Sequence, residues 1–514
     1  MLKVKILSFL LIVLCHCGIL GQETKPNILL ITLDDMNWDS PGIFGGTVPN
    51  ITPNIDDLAD KGMRFEKAFV QAPNCSPSRS VIQTGLYPHQ SGVRGFYYVK
   101  PGGNTLPEIM KANGYITAVL NKTSDSSLSP DLERYWDKSY SFTEEEKRSA
   151  TSYSKKFKSF LNDAKIKKKA FYCVINIADP HKPFFNDTQS KQNGFDNFKP
   201  SKIYALKDVE IPPTLPNLPE IKQEVLNYFN SVKRGDDCVG IILKALKESG
   251  FDENTVVIFL SDHGMPFPFA KSSVYLNGIK TPLIVSWPAK IKELSIDNTN
   301  MVSAIDIAPS ILDLTGISIP KKMEGKSFYP FLLDKKGHSN DFVFAQFDEN
   351  AGGIPRPSRT VISNQYGYIF NPWATGKFAF KSAAQYHITY NIMKKISSFD
   401  KKVSTRFEHW VYRTVEELYD YKKDPNALNN LIDNPEYKAI ANQLRNELKS
   451  NMIKTNDYVL QAFQIKANKA DLNQWMENQI NEANERMKTL KWKRPINKNG
   501  STKNNEKLFV VKLE

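Results

Sequence analysis

Apolar runs and amphipathic stretches alternate along the first two thirds of the chain. "PNILLITLDD", Pro26 to Asp35, is apolar without alternation until it ends in two acids. That is the profile of a strand buried on both faces, with a polar loop behind it. "NIDDLADKGMRFEKAF" then carries a helical spacing, and "TLPEIMKANGYITAVLNK" reads as a helix, a stop at Gly114 and a strand. "KKAFYCVINIADPHKPF" is a second buried strand, followed by a proline-marked loop. The long amphipathic stretch "QEVLNYFNSVKRGDDCVGIILKALKESG" leads into the strand "NTVVIFLSDHG". "TPLIVSWP" and "SAIDIAPSILDLTGI" add a further strand and helix. Strands alternating with helices predict an α/β sandwich around a mostly parallel central sheet.

Beyond about Asn340 the texture changes to short strand-like pieces such as "RTVISNQYGYIFNP" and one helix, "NPEYKAIANQLRNELKSNMI". The expected organisation is a main α/β domain over 23–340 and a smaller α+β domain over 341–471. A Lys/Asn-rich tail over 472–514 reads as a helical extension with a frayed end. Residues 1–22 have a basic start, an apolar run and a small residue at Gly21, the layout of a secretory signal peptide. An uncleaved anchor is the alternative, although the run is short for a bilayer span. Without that segment only Cys75, Cys173 and Cys238 remain, which argues against a disulfide scaffold. Cys173 and Cys238 fall in core patterns, whereas Cys75 sits in the polar, proline-interrupted "NCSPSRSVIQTG".

In parallel sheets ligands bind beyond the carboxyl ends of the strands. Asp34 and Asp35, Lys122, Asp179 to His181, and Asp262 with His263 all fall at such ends, which predicts one site. An acid pair taken alone is as readily a helix cap or a turn. Three carboxylates converging on one place repel, so they call for a cation. Oxygen ligands favour a hard ion such as calcium or magnesium, although His263 is a softer ligand. The net charge of +13 fits either a lysine-rich solvated surface or attraction to a polyanion. No zinc-finger, helix-turn-helix or RNA-recognition pattern is present, so nucleic acid is not the expected partner.

"CSPSR" followed by Thr84-Gly85 resembles the C-x-P-x-R signature of the type I sulfatases. "GYITAVLNK" (with Asn121 for a glycine), "SDHG" and "ELYDYKKDPNALNNL" resemble further motifs of that family. The likeness spans nearly the whole mature chain and implies the alkaline-phosphatase-like fold. It further implies that a dedicated maturation enzyme oxidises Cys75 to formylglycine (3-oxoalanine). As a hydrated aldehyde, this would attack sulfur with one hydroxyl and expel sulfate through the other. Asp34, Asp35, Asp262 and His263 match the ligands of a divalent ion, Ca²⁺ with Mg²⁺ as the alternative, and the modified Cys75 completes the shell. Arg79 matches the motif arginine, Lys122 and Lys271 the sulfate-binding cations, and His181 the acid that protonates the leaving group. His89 matches a supporting position. Ser124 stands where many relatives carry a histidine, which implies that another group handles that proton or that turnover is slow.

Within the family the resemblance is greatest to the heparan N-sulfatases (sulfamidases), carried by "AFVQAPNCSPSRSVIQTGLYPHQSGV", "ADPHKPF" and "SDHGMPFPFAKSSVYLNGIKTPLIV". It implies cleavage of the N–S bond of N-sulfated glucosamine in a sulfated glycan, with Arg359 meeting the sugar or lying idle on the surface. An O-sulfatase ranks second. A phosphoesterase on the same scaffold and an inactive glycan-binding protein are the readings from other classes; Cys75 in "CSPSR" speaks against the first, and retention of Cys75, Asp34, Asp35 and Asp262 against the second. The expected protein is exported: periplasmic or extracellular if bacterial, lysosomal if eukaryotic. The Asn-x-Ser/Thr triplets at Asn186 and Asn499 bear on that choice only in a eukaryotic pathway.

Overall fold

A computed structural model describes residues 25–100, 102–337, 339–491 and 493. The expected signal peptide and the end of the tail lie outside the described residues. The strand Asn27–Asp34 is central to an eight-stranded sheet and pairs in parallel with Phe171–Pro180 on one side and Thr255–Ser261 on the other. Ile116–Leu120 and Lys138–Tyr140 extend the parallel array beyond Phe171–Pro180. On the opposite flank Leu283–Ser286 runs antiparallel to both of its neighbours, Thr255–Ser261 and Met63–Phe65, and Ser295–Asp297 closes the edge. The sheet is therefore mixed but mostly parallel.

The unbroken apolar runs follow from burial on both faces. Ile28 and Leu30 point into one core; Leu29, Ile31 and Leu33 point into the other. Helices Ala150–Lys167 and Pro219–Glu248 cover the second face through Phe157, Phe160, Val225, Val232 and Ile242. Helices Leu106–Ala112 and Ile307–Leu314 cover the first. The same core continues into a separate four-stranded antiparallel sheet of Val343–Glu349, Pro355–Ile362, Tyr366–Phe370 and Glu416–Asp420.

One stretch differs from its sequence pattern, and the start of the tail is helical as its pattern reads. "NIDDLADKGMRFEKAF" stops being helical after Pro53–Asp60 and becomes the strand Met63–Phe65. Gly62 lies against the neighbouring strand so closely that a Cβ would stand 2.4 Å from the Val285 carbonyl oxygen. The start of the Lys/Asn-rich tail belongs to helix Lys469–Thr489, whose Leu472, Trp475 and Met476 are buried in the shared core.

Candidate active site at the carboxyl edge of the central sheet

Asp34 is the last residue of the central strand, where pairing with Phe171–Pro180 slips out of register. Asp35 then takes the left-handed conformation at φ 73°, which aims successive carboxylates at one space. Asp262 follows the adjacent strand directly: its N–H donates to the Leu33 carbonyl at 3.1 Å. The Asp35 N–H in turn donates to Asp262 Oδ1 at 3.2 Å. Beyond it Gly264 passes so close to Asn277 that a Cβ would meet its carbonyl oxygen at 1.7 Å, so "SDHG" can turn only with glycine there.

Cys75 opens helix Cys75–Thr84, all of whose residues are buried. Its Sγ lies 3.3 Å from Asp34 Oδ1, 3.4 Å from His263 Nε2 and 3.7 Å from Lys271 Nζ. One turn on, Ser78 donates to the Asp262 carbonyl at 2.6 Å. Arg79 pairs with Asp262 at 2.8 Å and Asp34 at 3.5 Å, and also donates to Thr32 Oγ1 and Asn176 Oδ1. Helix and strand ends are thus tied together under the cysteine. Thr32 and Asn176 were not singled out from sequence, yet each is a polar residue interrupting a buried apolar strand. That was the available signal.

Two lysines face the carboxylates. Lys122 Nζ is 2.6 Å from Asp34 Oδ2, and Lys271 Nζ is 2.6 Å from Asp35 Oδ1. Lys122 and Asn121 both have positive φ, of 48° and 60°. Asparagine tolerates that conformation, and the Asn121 amide donates to the Asn176 carbonyl at 2.8 Å and to Tyr153 Oη at 3.2 Å. This explains how the chain accommodates asparagine where a glycine is expected. His181 donates through Nδ1 to the Lys182 carbonyl at 2.6 Å, leaving Nε2 with its lone pair.

Burial dominates the electrostatics and is opposed by charge. It would raise the Asp34 carboxyl, but Lys122, then His181, Arg79 and Lys271, hold it well below the usual range. Asp35 goes the other way: burial, with Asp34 and Asp262 adding to it, outweighs Lys271. Burial and then Asp34 push the Cys75 thiol well up, so an unmodified cysteine would be a poor nucleophile. Burial would discharge Lys122 and Lys271, but the facing acids, Asp34 first for Lys122 and Asp35 first for Lys271, keep both more basic than ordinary lysine. Desolvation brings His263 down to about 4, against the pull of Asp262, so its ring is neutral. His263 Nδ1 bonds to the Gly264 carbonyl at 3.0 Å, which leaves Nε2 as a ligand atom.

The donors of Asp34, Cys75, Asp262 and His263 all lie within 4.8 Å of one another, and so do those of Asp34, Asp35, Cys75 and His181. Asp35 Oδ2 is buried without a hydrogen-bond partner. The three desolvated carboxylates, one with an orphaned oxygen, fit a hard divalent cation; the Cys75 sulfur and the ring nitrogens of His263 and His181 are the softer donors.

Other expected site residues lie elsewhere. All five Arg359 N–H groups are engaged by Asp457, Asp348 and the Phe347 and Ser358 carbonyls, and the side chain is buried. It has no donor left for a sugar, so the expected sugar contact is withdrawn. Asp179 likewise turns into the interior, paired with Arg148 at 2.5 Å and Arg234 at 2.7 Å, and does not join the acid cluster. A carboxylate at a strand end can cap structure as well as bind a ligand, and pattern alone does not separate the two. His89 links Gln346 Oε1 (2.6 Å) and the Thr455 carbonyl (3.2 Å), bridging to the second sheet.

Comparison with known proteins identifies the family. The family described as Sulfatase matches residues 26–317, and the family described as N-sulphoglucosamine sulphohydrolase, C-terminal, matches residues 262–373. The chain is 26% identical to human N-sulphoglucosamine sulphohydrolase, over 87% of this chain and 93% of that protein. It is also 26% identical to an ulvan-active sulfatase of Formosa agariphila, covering 87% and 80%. Identity to an endo-4-O-sulfatase of Bacteroides thetaiotaomicron is 27%, covering 83% and 92%. Among solved structures, a 2-O GAG sulfatase superposes with a TM-score of 0.62 at 22% identity, covering 84% of this chain and 93% of that one.

Proposed function

The chain belongs to the sulfatase family, and on that premise we propose that it removes the N-sulfate from glucosamine residues of heparan- or heparin-type glycans. The observation that carries the reading is the convergence of Cys75, Asp34, Asp35, Asp262 and His263 with two lysines, Lys122 half-buried and Lys271 buried, within one small space. The match of the N-sulphoglucosamine sulphohydrolase C-terminal family and the human relative support the choice of an N-sulfate.

In this reading a maturation enzyme converts Cys75 to formylglycine, and Asp34, Asp35, Asp262 and His263 hold Ca²⁺, with Mg²⁺ as the alternative. When bound, the ion supplies acidification of the nucleophilic hydroxyl and screening of the sulfate oxygens. Lys122 and Lys271, both held charged, bind the sulfate and stabilise negative charge in the transition state. Arg79 fixes the helix carrying Cys75 against Asp262 and so positions the nucleophile. His181 is half-buried and neutral in the free protein, since desolvation and then Lys271 hold its pKa well below the usual value. An incoming anion favours its protonation, and Nε2 then delivers that proton to the departing amine. The chain acts in an exported compartment; no helix among the described residues is long and apolar enough to cross a membrane.

A second reading, O-sulfate hydrolysis, is favoured by the comparable identity to the ulvan-active and endo-4-O enzymes. N- and O-sulfates present the same three oxygens to the lysines, so the leaving group makes the difference. Mass spectrometry of the Cys75 peptide, from protein produced with the maturation enzyme, should find the aldehyde; quantitative thiol overturns the nucleophile. Sulfate release from N-sulfoglucosamine should exceed that from 6-O- and 3-O-sulfated N-acetylglucosamine; the reverse preference overturns the N-sulfate assignment and leaves the reaction class standing.

A further inference from the structure

The loop that carries Lys271 is gripped from outside the catalytic cluster. Phe269, two residues earlier, has φ 66°, a strained value for an aromatic residue that its surroundings must hold. The Arg406 guanidinium lies 3.4 Å from its ring centroid, and the His409 imidazole stacks on it at 5.9 Å with an interplanar angle of 10°. Both belong to helix Lys401–Tyr412. Both also line a cavity of about 750 Å³ between that helix, the loop over 213–218 and Tyr419. None of the catalytic, metal or sulfate-binding candidates lines it.

The lining has the chemistry of an anion receptor. Arg406 donates only to the backbone carbonyls of Thr214 (3.3 Å), Ala427 (3.1 Å) and Asn426 (3.4 Å), and makes no ion pair among the described residues. Lys402 is exposed at the rim. Thr214 is buried, and its hydroxyl has no hydrogen-bond partner. The one acid on the lining, Asp400, is engaged as the helix cap, accepting the Val403 N–H at 3.0 Å. Such a volume suits one or two sugar units, since ligand clefts run to about 300–1,000 Å³. A guanidinium without a counter-ion matches the oxygen spacing of a sulfate or carboxylate.

We propose that this cavity is a second saccharide site, in which Arg406 and Lys402 hold the sulfate or carboxylate of an anionic sugar. An occupant that fixes Arg406 also fixes the ring of Phe269 and with it the approach to Lys271. The site does not depend on which sulfate the enzyme removes.

The test is calorimetric titration of the full chain carrying Cys75→Ala with a size-defined heparin hexasaccharide. Two binding events per chain are expected. Lys402→Glu and Arg406→Gln, each added to Cys75→Ala, should weaken one event by at least about tenfold, or about 1.4 kcal/mol, and leave the other intact. With Cys75 retained, Lys402→Glu should hydrolyse a monosaccharide sulfate at the wild-type rate. A single event indifferent to both substitutions overturns the proposal. So does equal binding of the same hexasaccharide stripped of sulfate and carboxylate charge, or filling of the second site by inorganic sulfate at the same concentration. Failure of sulfate release by the matured wild type would refute the catalytic reading while leaving the titration readable.

Discussion

Replacing Lys271 by alanine separates a catalytic lysine from a structural one. Its ammonium stands 2.6 Å from a buried carboxylate oxygen of Asp35. At an effective dielectric constant of about 20 that pair attracts by about 6 kcal/mol. Much of this offsets the desolvation of two buried charges, and removing one partner of such a pair costs about 3–5 kcal/mol. A divalent cation on Asp35 would compensate the orphaned carboxylate, so the loss should depend on metal. With cation present, Lys271→Ala should melt close to wild type while kcat falls about 100- to 1,000-fold, the scale of losing one charge-stabilising donor. With a chelator the variant should melt lower than chelated wild type by roughly 3–10 °C for a chain of this size. Scanning calorimetry in both buffers, beside sulfate release, reads both quantities. Equal destabilisation with and without cation, or unchanged kcat, would refute the reasoning.

Three further outcomes follow from other buried contacts. Arg359→Ala should leave KM for sulfated substrates unchanged but destabilise the fold by about 3–5 kcal/mol, since Asp348 and Asp457 lose their shared cation; a raised KM with unchanged melting would restore a role at the sugar. Burial, with Lys182 assisting, brings His387 to about 3 in the fold, and its Nδ1 has no hydrogen-bond partner. An unfolded histidine titrates near pH 6.5, so as pH falls from there towards 3 the unfolded chain gains a proton the native one refuses, and stability drops by about 1.4 kcal/mol per unit. His387→Gln should flatten the melting profile between pH 6.5 and 5, and an unaltered slope would count against this. Asn121→Ala should cost about 2 kcal/mol, combining left-handed strain with lost hydrogen bonds; denaturation indistinguishable from wild type would show that the turn before Lys122 does not need asparagine.

The sequence alone determined the parallel array and the cysteine's unusual setting. Burial on both faces leaves an unbroken apolar run, and a strand must end where its polar residues begin, so Asp34 and Asp262 were legible as strand-end acids. The "CSPSR" stretch declared itself by holding a thiol where no core pattern asks for one. What it left undecided was direction and partnership. Asp179 and Asp34 both end apolar strands, yet one meets Arg148 and Arg234 and the other Lys122 and Cys75. Arg359 reads as free in sequence, but Asp348 and Asp457, more than ten and nearly a hundred residues away in the chain, take three of its N–H groups, and two backbone carbonyls take the rest. Asn176 was hidden inside a strand, and the grip of Arg406 on Phe269 joins residues whose neighbours in sequence give no sign of it. Local pattern encodes which face is buried, because burial is felt residue by residue. Which buried charge finds which partner is set by distances that exist only once the layers have packed.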